Sequence, residues 1–214
     1  MTKYLLACIL GFTQMSCFAQ DFESSISPIS DALQAEMVYS WKESNPVPIT
    51  DLRLVTVNFW GFDDQPQQGN LIVHANLAEE VVEIFQEMYE NQFPIEKMIL
   101  VEAYQGSDEL SAEDNNCYCF CSRPVAGLVG VYSKHSYGIA IDVNPIQNPA
   151  SKNGVIVPQN GAAYLDRDNP VKGMIDHDSI CYQAFIKRGW VWGGDWQETR
   201  GYVDYHHFEK PLLN

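Results

Sequence analysis

The segment Ser133–Asp142, which reads SKHSYGIAID, constrains this chain more than any other. It places the imidazole of His135 and the carboxylate of Asp142 seven residues apart, with Gly138 and mainly apolar residues between them. We expect a loop that carries His135, a close backbone approach at Gly138 and a buried strand that ends at Asp142. Because a buried carboxylate is costly unless it is paired or bound to a cation, the segment predicts a metal held by His135 and Asp142.

A third ligand is expected from near the C-terminus, where the chain reads DYHHFE from Asp204 to Glu209. Catalytic zinc commonly has three protein ligands and a water in the open fourth position. The set His135, Asp142 and His207 supplies these ligands. The neighbouring His206 remains open as the alternative third ligand.

A general base is expected beside the metal-bound water. Asp204 lies three residues before His207, so it could lie about one turn away from that ligand. Asp195 and Glu209 are the competing acids, and the spacing favours Asp204.

The order of these motifs resembles a known family. The pattern S-x-H-x-x-G-x-A-x-D, followed far downstream by acid-x-x-His, looks like the zinc D-alanyl-D-alanine carboxypeptidase family. That family includes L-alanyl-D-glutamate endopeptidases, and the run from Gly189 to Trp196 (GWVWGGDW) with His207-Phe208-Glu209 is similar to that branch. The resemblance implies an α+β fold, hedgehog/DD-peptidase-like, with a small, mainly antiparallel sheet and packed helices.

The resemblance also assigns roles to single residues. Arg123, in a loop ahead of the zinc motif, would steady the substrate or its developing oxyanion, and a surface arginine is the alternative. Asp204 would take a proton from the zinc-bound water. Ser133 is expected to orient the zinc loop and Glu209 to orient a ligand histidine. If His207 is the ligand, His206 would support a ligand from behind, face the substrate or merely be exposed. Trp192 is expected to support a ligand or to face the substrate, as part of the core and cleft wall.

Composition limits the partners. The chain has 214 residues and a net charge of -15, which argues against nucleic acid or an anionic membrane surface as partner. Residues 1–19 read as a signal peptide, with residues 20–214 as a single zinc peptidase domain. We therefore expect an exported, periplasmic or secreted monomer, and a lipoprotein acylated at Cys17 is the rival. No other stretch is long and apolar enough to span a bilayer.

Four cysteines follow the expected cleavage site, at positions 117, 119, 121 and 181. One or two disulfides are the simpler interpretation, because export permits them. A thiolate zinc site is the alternative, although the usual C-x-x-C spacing is absent. The sequence does not determine the pairing.

Local patterns predict the remaining elements. Helices are expected over Ser27–Trp41 and over Ser179–Lys187, the latter with a stop at Gly189. Another helix is expected to begin after an N-cap at Asn76, with Glu79 in a capping box. Strands are expected over Leu52–Phe62, Leu71–His74 and Met98–Tyr104 and from Trp190, with the first two forming a hairpin. Loops are expected over residues 63–69, 105–116 and 146–175, the last as one wall of a substrate cleft.

The sequence therefore predicts a zinc-dependent peptidase acting on peptidoglycan stem peptides. The L-Ala-D-Glu bond is favoured over D-Ala-D-Ala carboxypeptidase action. The alternative is a non-catalytic, zinc-containing binding or signalling module of the same fold. Asp204 argues against that alternative, because a structural metal site needs no poised acid.

Overall fold

The computed structural model describes residues 21–125, 128 and 130–211. The predicted signal peptide, residues 1–19, lies outside these residues. The described elements follow one another in this order: β1 (Ser24–Pro28), α1 (Asp31–Glu36), β2 (Leu52–Gly61), β3 (Pro66–His74), α2 (Ala78–Glu90), β4 (Pro94–Ile95), α3 (Asp108–Glu113), β5 (Ala140–Asp142), β6 (Ala150–Lys152), β7 (Val155–Val157), α4 (Ile180–Ile186), β8 (Val191–Trp192), α5 (Trp196–Arg200), β9 (Val203–Asp204) and β10 (His207–Glu209).

The largest sheet has the order β1-β2-β3, with β4 added in parallel to β2. The predicted hairpin of β2 and β3 is confirmed, with Leu52 opposite His74 and Trp60 opposite Pro66. The loop predicted over residues 63–69 was too long, because β3 begins at Pro66. The first residues of β3 are mostly polar, but they pair with β2 along one continuous ladder.

Helix α2 packs against this sheet through an apolar face of Val81, Ile84, Phe85 and Met88. The predicted cap at Asn76 was wrong. A 3₁₀ turn over Ala75–Leu77 precedes the helix, and Nδ1 of His74 accepts the backbone N–H of Asn76 at 3.2 Å. The side chain of His74 therefore caps the entry.

Three predictions near the large sheet differ from the structure. The helix predicted over Ser27–Trp41 shrinks to α1, because residues 24–28 form β1 and pair with the edge of β2. The strand predicted over Met98–Tyr104 is wrong, because Val101–Tyr104 form a 3₁₀ helix. The predicted loop over residues 105–116 contains α3, whose N-cap Ser107 accepts the backbone N–H of Leu110.

Two small antiparallel sheets, of order β5-β10-β8 and β7-β6-β9, complete the fold. The loop predicted over residues 146–175 contains β6 and β7, and Ala150 on β6 lies opposite Asp204 on β9. Strands β9 and β10 follow one another after a two-residue turn, so one short segment joins both sheets.

Helix α4 covers the β5-β10-β8 sheet. The ring of Phe185 stacks on that of Phe208 with centroids 4.1 Å apart, and both side chains are fully buried. The predicted helix over Ser179–Lys187 is confirmed with Ser179 as N-cap and Lys187 as C-cap, and Gly189, with φ +76°, lies in the turn that follows it. The α+β class predicted from the sequence is confirmed. In the part of the chain that the structure describes, no helix is long and apolar enough to cross a bilayer.

Gly138 holds the loop between His135 and β5 against the large sheet. Its carbonyl accepts the backbone N–H of His74 at 2.9 Å, and its φ of +67° lies in the left-handed region. A Cβ at this position would lie 2.7 Å from the backbone nitrogen of His74. A side chain therefore cannot be accommodated without moving the backbone.

We predict that Gly138→Ala destabilises the protein more than the matched change Gly154→Ala. Gly154 has a similar φ of +79° but no atom within 4 Å of an added Cβ. The control should lose about 1–2 kcal/mol for the left-handed conformation, and Gly138→Ala about 1–3 kcal/mol more for the steric overlap. Chemical denaturation measures both losses. Equal losses would contradict the close approach at Gly138.

Candidate metal centre

The first histidine of the centre is held by a capped turn. The hydroxyl of Ser133 accepts the backbone N–H of His135 at 3.3 Å and begins a 3₁₀ turn over Lys134–Tyr137. Gly138 ends this turn. The hydroxyl of Ser133 thus lies where the sequence analysis expected an orienting group for the loop.

Strand pairing brings the other two residues together. His207 on β10 lies directly opposite Asp142 on β5. Side chains directly opposite each other in an antiparallel pair lie on the same face and interact. Nδ1 of His207 is accordingly 2.8 Å from Oδ1 of Asp142.

Three potential ligand atoms converge at this point. Nε2 of His135 lies 3.3 Å from Oδ1 of Asp142 and 3.3 Å from Nδ1 of His207. The three side chains are buried, with exposed fractions of 1%, 5% and 7% for His135, Asp142 and His207. These residues form a group whose ligand atoms all lie within 4.8 Å of one another. Residues separated by up to 72 positions therefore meet at one buried point.

The outer nitrogen of each histidine is already occupied. Nδ1 of His135 lies 2.5 Å from the carbonyl oxygen of Cys119, and Nε2 of His207 lies 3.4 Å from Oε2 of Glu209. A carbonyl or carboxylate oxygen accepts hydrogen bonds, so both outer nitrogens carry the proton of the neutral ring. The inner nitrogens then present lone pairs to each other and to Asp142. Two imidazole nitrogens and a carboxylate oxygen suit a bound zinc ion, and the hydrogen bonds of the outer nitrogens hold both rings in place for it.

Without a metal, a proton must compensate the negative charge of Asp142 and the lone pairs that face it. Burial lowers the pKa of His207, but its hydrogen bonds to Asp142 and Glu209 outweigh that effect and raise the pKa to about 10. Burial raises the pKa of Asp142, but the positive charges that His135 and His206 carry when protonated hold that pKa well below its usual range. In the metal-free protein, His207 therefore carries a proton between itself and Asp142.

Glu209 and Arg200 support His207 from outside. Nη2 of Arg200 lies 3.1 Å from Oε1 of Glu209. Burial raises the pKa of Glu209, but His207 and Arg200 outweigh it and lower the pKa to about 2. Glu209 thus stays ionised, so it can accept the hydrogen bond from His207 that orients the ring.

Asp204 lies next to His206, which on the same nitrogen also faces Asp142. Oδ1 of Asp204 is 3.0 Å from Nε2 of His206 and accepts no aligned hydrogen bond from any described residue. Burial raises the pKa of Asp204, but His206 and His207 outweigh it and lower the pKa. The carboxylate is therefore ionised at neutral pH, with lone pairs free for a further donor. Asp204 and His207 lie on two successive strands, not one helical turn apart.

His206 is buried between two carboxylates. Its Nε2 lies 3.0 Å from Oδ1 of Asp204 and 3.9 Å from Oδ2 of Asp142. Burial lowers the pKa of His206, but these two negative charges outweigh it and raise the pKa to about 9. The structure thus directs His206 towards Asp204.

The remaining predicted site residues lie further out. Arg123 forms an ion pair with Asp108 at 2.9 Å, while its backbone N–H donates to Ser136 Oγ at 2.8 Å beside the His135 loop. Trp192 is 3% exposed and donates its indole N–H to the carbonyl of Tyr205 at 2.8 Å. Its position is in the core.

One competing acid, Asp195, lies outside the centre. Asp195 pairs with His177 at 2.8 Å, and both side chains are exposed. The sequence analysis gave Asp195 as a competing base, whereas the structure places it on the surface.

The cysteines do not form the predicted disulfides. Cys117, Cys119, Cys121 and Cys181 are all buried free thiols. Residues 117–121 run beside β5, where Tyr118 bridges to Asp142, whereas Cys181 lies on α4. Burial raises the pKa of all four thiols, which disfavours the thiolate that a zinc site needs.

Sequence reasoning missed the supports that this segment provides. The carbonyl of Cys119 fixes the tautomer of His135, and the ring of Tyr118 stacks on His135 with centroids 4.7 Å apart. The alternation Cys-Tyr-Cys-Phe-Cys could have indicated an extended segment, but a backbone carbonyl carries no residue signature.

Comparison with known families now bears on this geometry. Residues 127–210 match the family model described as D-alanyl-D-alanine carboxypeptidase. This part of the chain is similar to that family. The matched segment contains His135, Asp142, Asp204 and His207, and it confirms the family resemblance that the motifs suggested. Arg123 lies before it. Searches of the curated proteins and of the solved structures find no significant match.

We predict that zinc binding to the metal-free protein releases about one proton near neutral pH, because the metal displaces the proton shared by His207 and Asp142. The apparent affinity should rise as the pH increases towards about 10, the pKa of His207. Calorimetry in two buffers of different ionisation enthalpy measures the release. No proton exchange together with a pH-independent affinity would contradict the proposed ligand set.

A second prediction concerns Asp142→Asn, which removes a charge but keeps the shape of the side chain. The variant should fold and yet lose most of its zinc, measured by elemental analysis of the purified protein. Asp195→Asn is the matched control, because it alters the exposed carboxylate that pairs with His177. Equal zinc contents in both variants would remove Asp142 from the ligands.

Proposed function

We propose that the protein is a zinc-dependent peptidase that hydrolyses an amide bond in peptidoglycan stem peptides. The observation that carries this proposal is the convergence of His135, Asp142 and His207 inside a segment of the D-alanyl-D-alanine carboxypeptidase family. Those three residues would hold the metal. A zinc ion bound there would lower the pKa of a coordinated water to about 7 and polarise the scissile carbonyl.

Asp204 is the residue that would transfer protons during the reaction. Asp204 is ionised and offers an oxygen without an aligned hydrogen bond, so it can accept a proton from the attacking water. The same carboxylate can return that proton to the leaving amine. His135 and His207 stay in fixed tautomers, because Cys119 and Glu209 occupy their outer nitrogens.

Arg123 is proposed to stabilise the oxyanion. Its backbone is joined to the His135 loop, since its carbonyl accepts the N–H of Ser133 at 3.0 Å. Its guanidinium is paired with Asp108, so this role requires the guanidinium to reach the substrate from that ion pair.

Two bonds are candidates for cleavage. The GWVWGGDW run and the HFE ending favour the L-Ala-D-Glu bond. The description of the matched family favours the terminal D-Ala-D-Ala bond as the second candidate. Since peptidoglycan lies outside the cytoplasm, we also propose that the protein is exported, as residues 1–19 suggest.

We predict that the zinc-loaded protein cleaves purified muropeptides and that Asp204→Asn lowers kcat by about 10²–10⁴-fold, the usual contribution of a general base. Mass spectrometry of the products identifies the bond, because loss of a terminal D-Ala differs from separation at L-Ala. Asp195→Asn is again the control and should keep full activity. Zinc binding without cleavage of any stem peptide would favour the non-catalytic module.

A further inference from the structure

His206 lies between two carboxylates that the proposed function uses. It is 6% exposed, and its Nε2 lies 3.0 Å from Asp204 and 3.9 Å from Asp142. On the other side of the ring, Nδ1 lies 2.8 Å from the carbonyl oxygen of Asn148. The ring therefore spans the distance from a backbone carbonyl to the proposed base.

Both nitrogens of the ring face hydrogen-bond acceptors. A carbonyl oxygen only accepts, so Nδ1 of His206 donates to Asn148. Nε2 lies 3.0 Å from a carboxylate oxygen of Asp204 and is therefore within hydrogen-bond distance of it. The ring thus connects a backbone carbonyl to the carboxylate of Asp204.

Asn148 gives the ring a rigid support. It is fully buried, and both ends of its side-chain amide are occupied. The amide makes these bonds: Nδ2 donates to the carbonyls of Val143, Asn144 and Gly173, and Oδ1 accepts from the backbone of Ile175 and from Arg167. Its own carbonyl, and with it the ring of His206, is therefore fixed relative to the end of β5.

The turn that carries His206 is held from its other side. The guanidinium of Arg167 lies 4.3 Å from the ring centroid of Tyr205. Nη1 of Arg167 also donates to the carbonyl of Gln147 at 2.9 Å. The segment after β5 thus clamps both residues of the turn between β9 and β10.

We propose that His206 is a positioning residue that holds the carboxylate of Asp204 beside the metal centre. It acts through Asp204 and neither binds the metal nor contacts the substrate. The inference rests on the proposed function only in naming Asp204 as the base.

The geometry separates this role from metal ligation. Both nitrogens of His206 already face oxygen atoms, whereas the inner nitrogens of His135 and His207 face each other at 3.3 Å. A ligand role for His206 would require its ring to leave Asn148 and Asp204.

The test compares His206→Ala and His206→Gln in the full-length protein, with His177→Ala as the matched control. His177 also pairs with an aspartate, Asp195 at 2.8 Å, but on the surface. Both His206 variants should retain zinc. His206→Ala should lower kcat at least about tenfold and leave KM within about twofold, since a general base contributes about 10²–10⁴-fold. His206→Gln should recover part of kcat, because its amide can donate to Asp204.

A crystal structure of zinc-loaded His206→Ala gives a readout independent of activity. The carboxylate of Asp204 should turn away from its wild-type position. Loss of zinc would instead make His206 a ligand, and a raised KM with unchanged kcat would make it a substrate contact. If the wild type cleaves no stem peptide, the proposed function fails, but the crystal structure still decides this inference. An unmoved Asp204 in that structure would overturn it.

Discussion

The structure depends on three lone pairs that face one another inside the protein. Nε2 of His135, Nδ1 of His207 and Oδ1 of Asp142 lie 2.8–3.3 Å apart in a buried setting. Such an arrangement is unfavourable unless a cation or a proton lies between them. Hydrogen bonds from the outer nitrogens to Cys119 and Glu209 prevent the rings from turning away. The fold therefore holds these residues in a geometry that a metal ion would satisfy.

The junction of the two small sheets explains how the proposed base comes to lie beside the proposed ligands. Asp204 ends β9 in one sheet, and His207 begins β10 in the other. The three-residue spacing thus spans a turn between strands instead of a turn of helix. The intervening His206 faces Asp204, and Asn148 connects it to the end of β5. Each small sheet contributes one part of the centre.

The sequence predicted this centre better than its surroundings. The convergence of His135, Asp142 and His207 could be inferred because each side chain carries a chemical signature at a recognisable spacing. The support from Cys119 and Asn148 uses backbone carbonyls, which any residue supplies. Periodicity also failed where tertiary pairing decided the outcome, as for residues 24–28, which joined β2 as a strand. The disulfides were predicted only from the expected export of the protein, whereas Cys117 and the other cysteines are free thiols buried in the core.

The most direct test is a crystal structure of the protein purified with zinc, with anomalous diffraction recorded at the zinc edge. We expect one strong peak about 2.0–2.2 Å from Nε2 of His135, Oδ1 of Asp142 and Nδ1 of His207. A peak at the cysteines, or none at these three side chains, would contradict the proposed metal centre and the peptidase mechanism built on it.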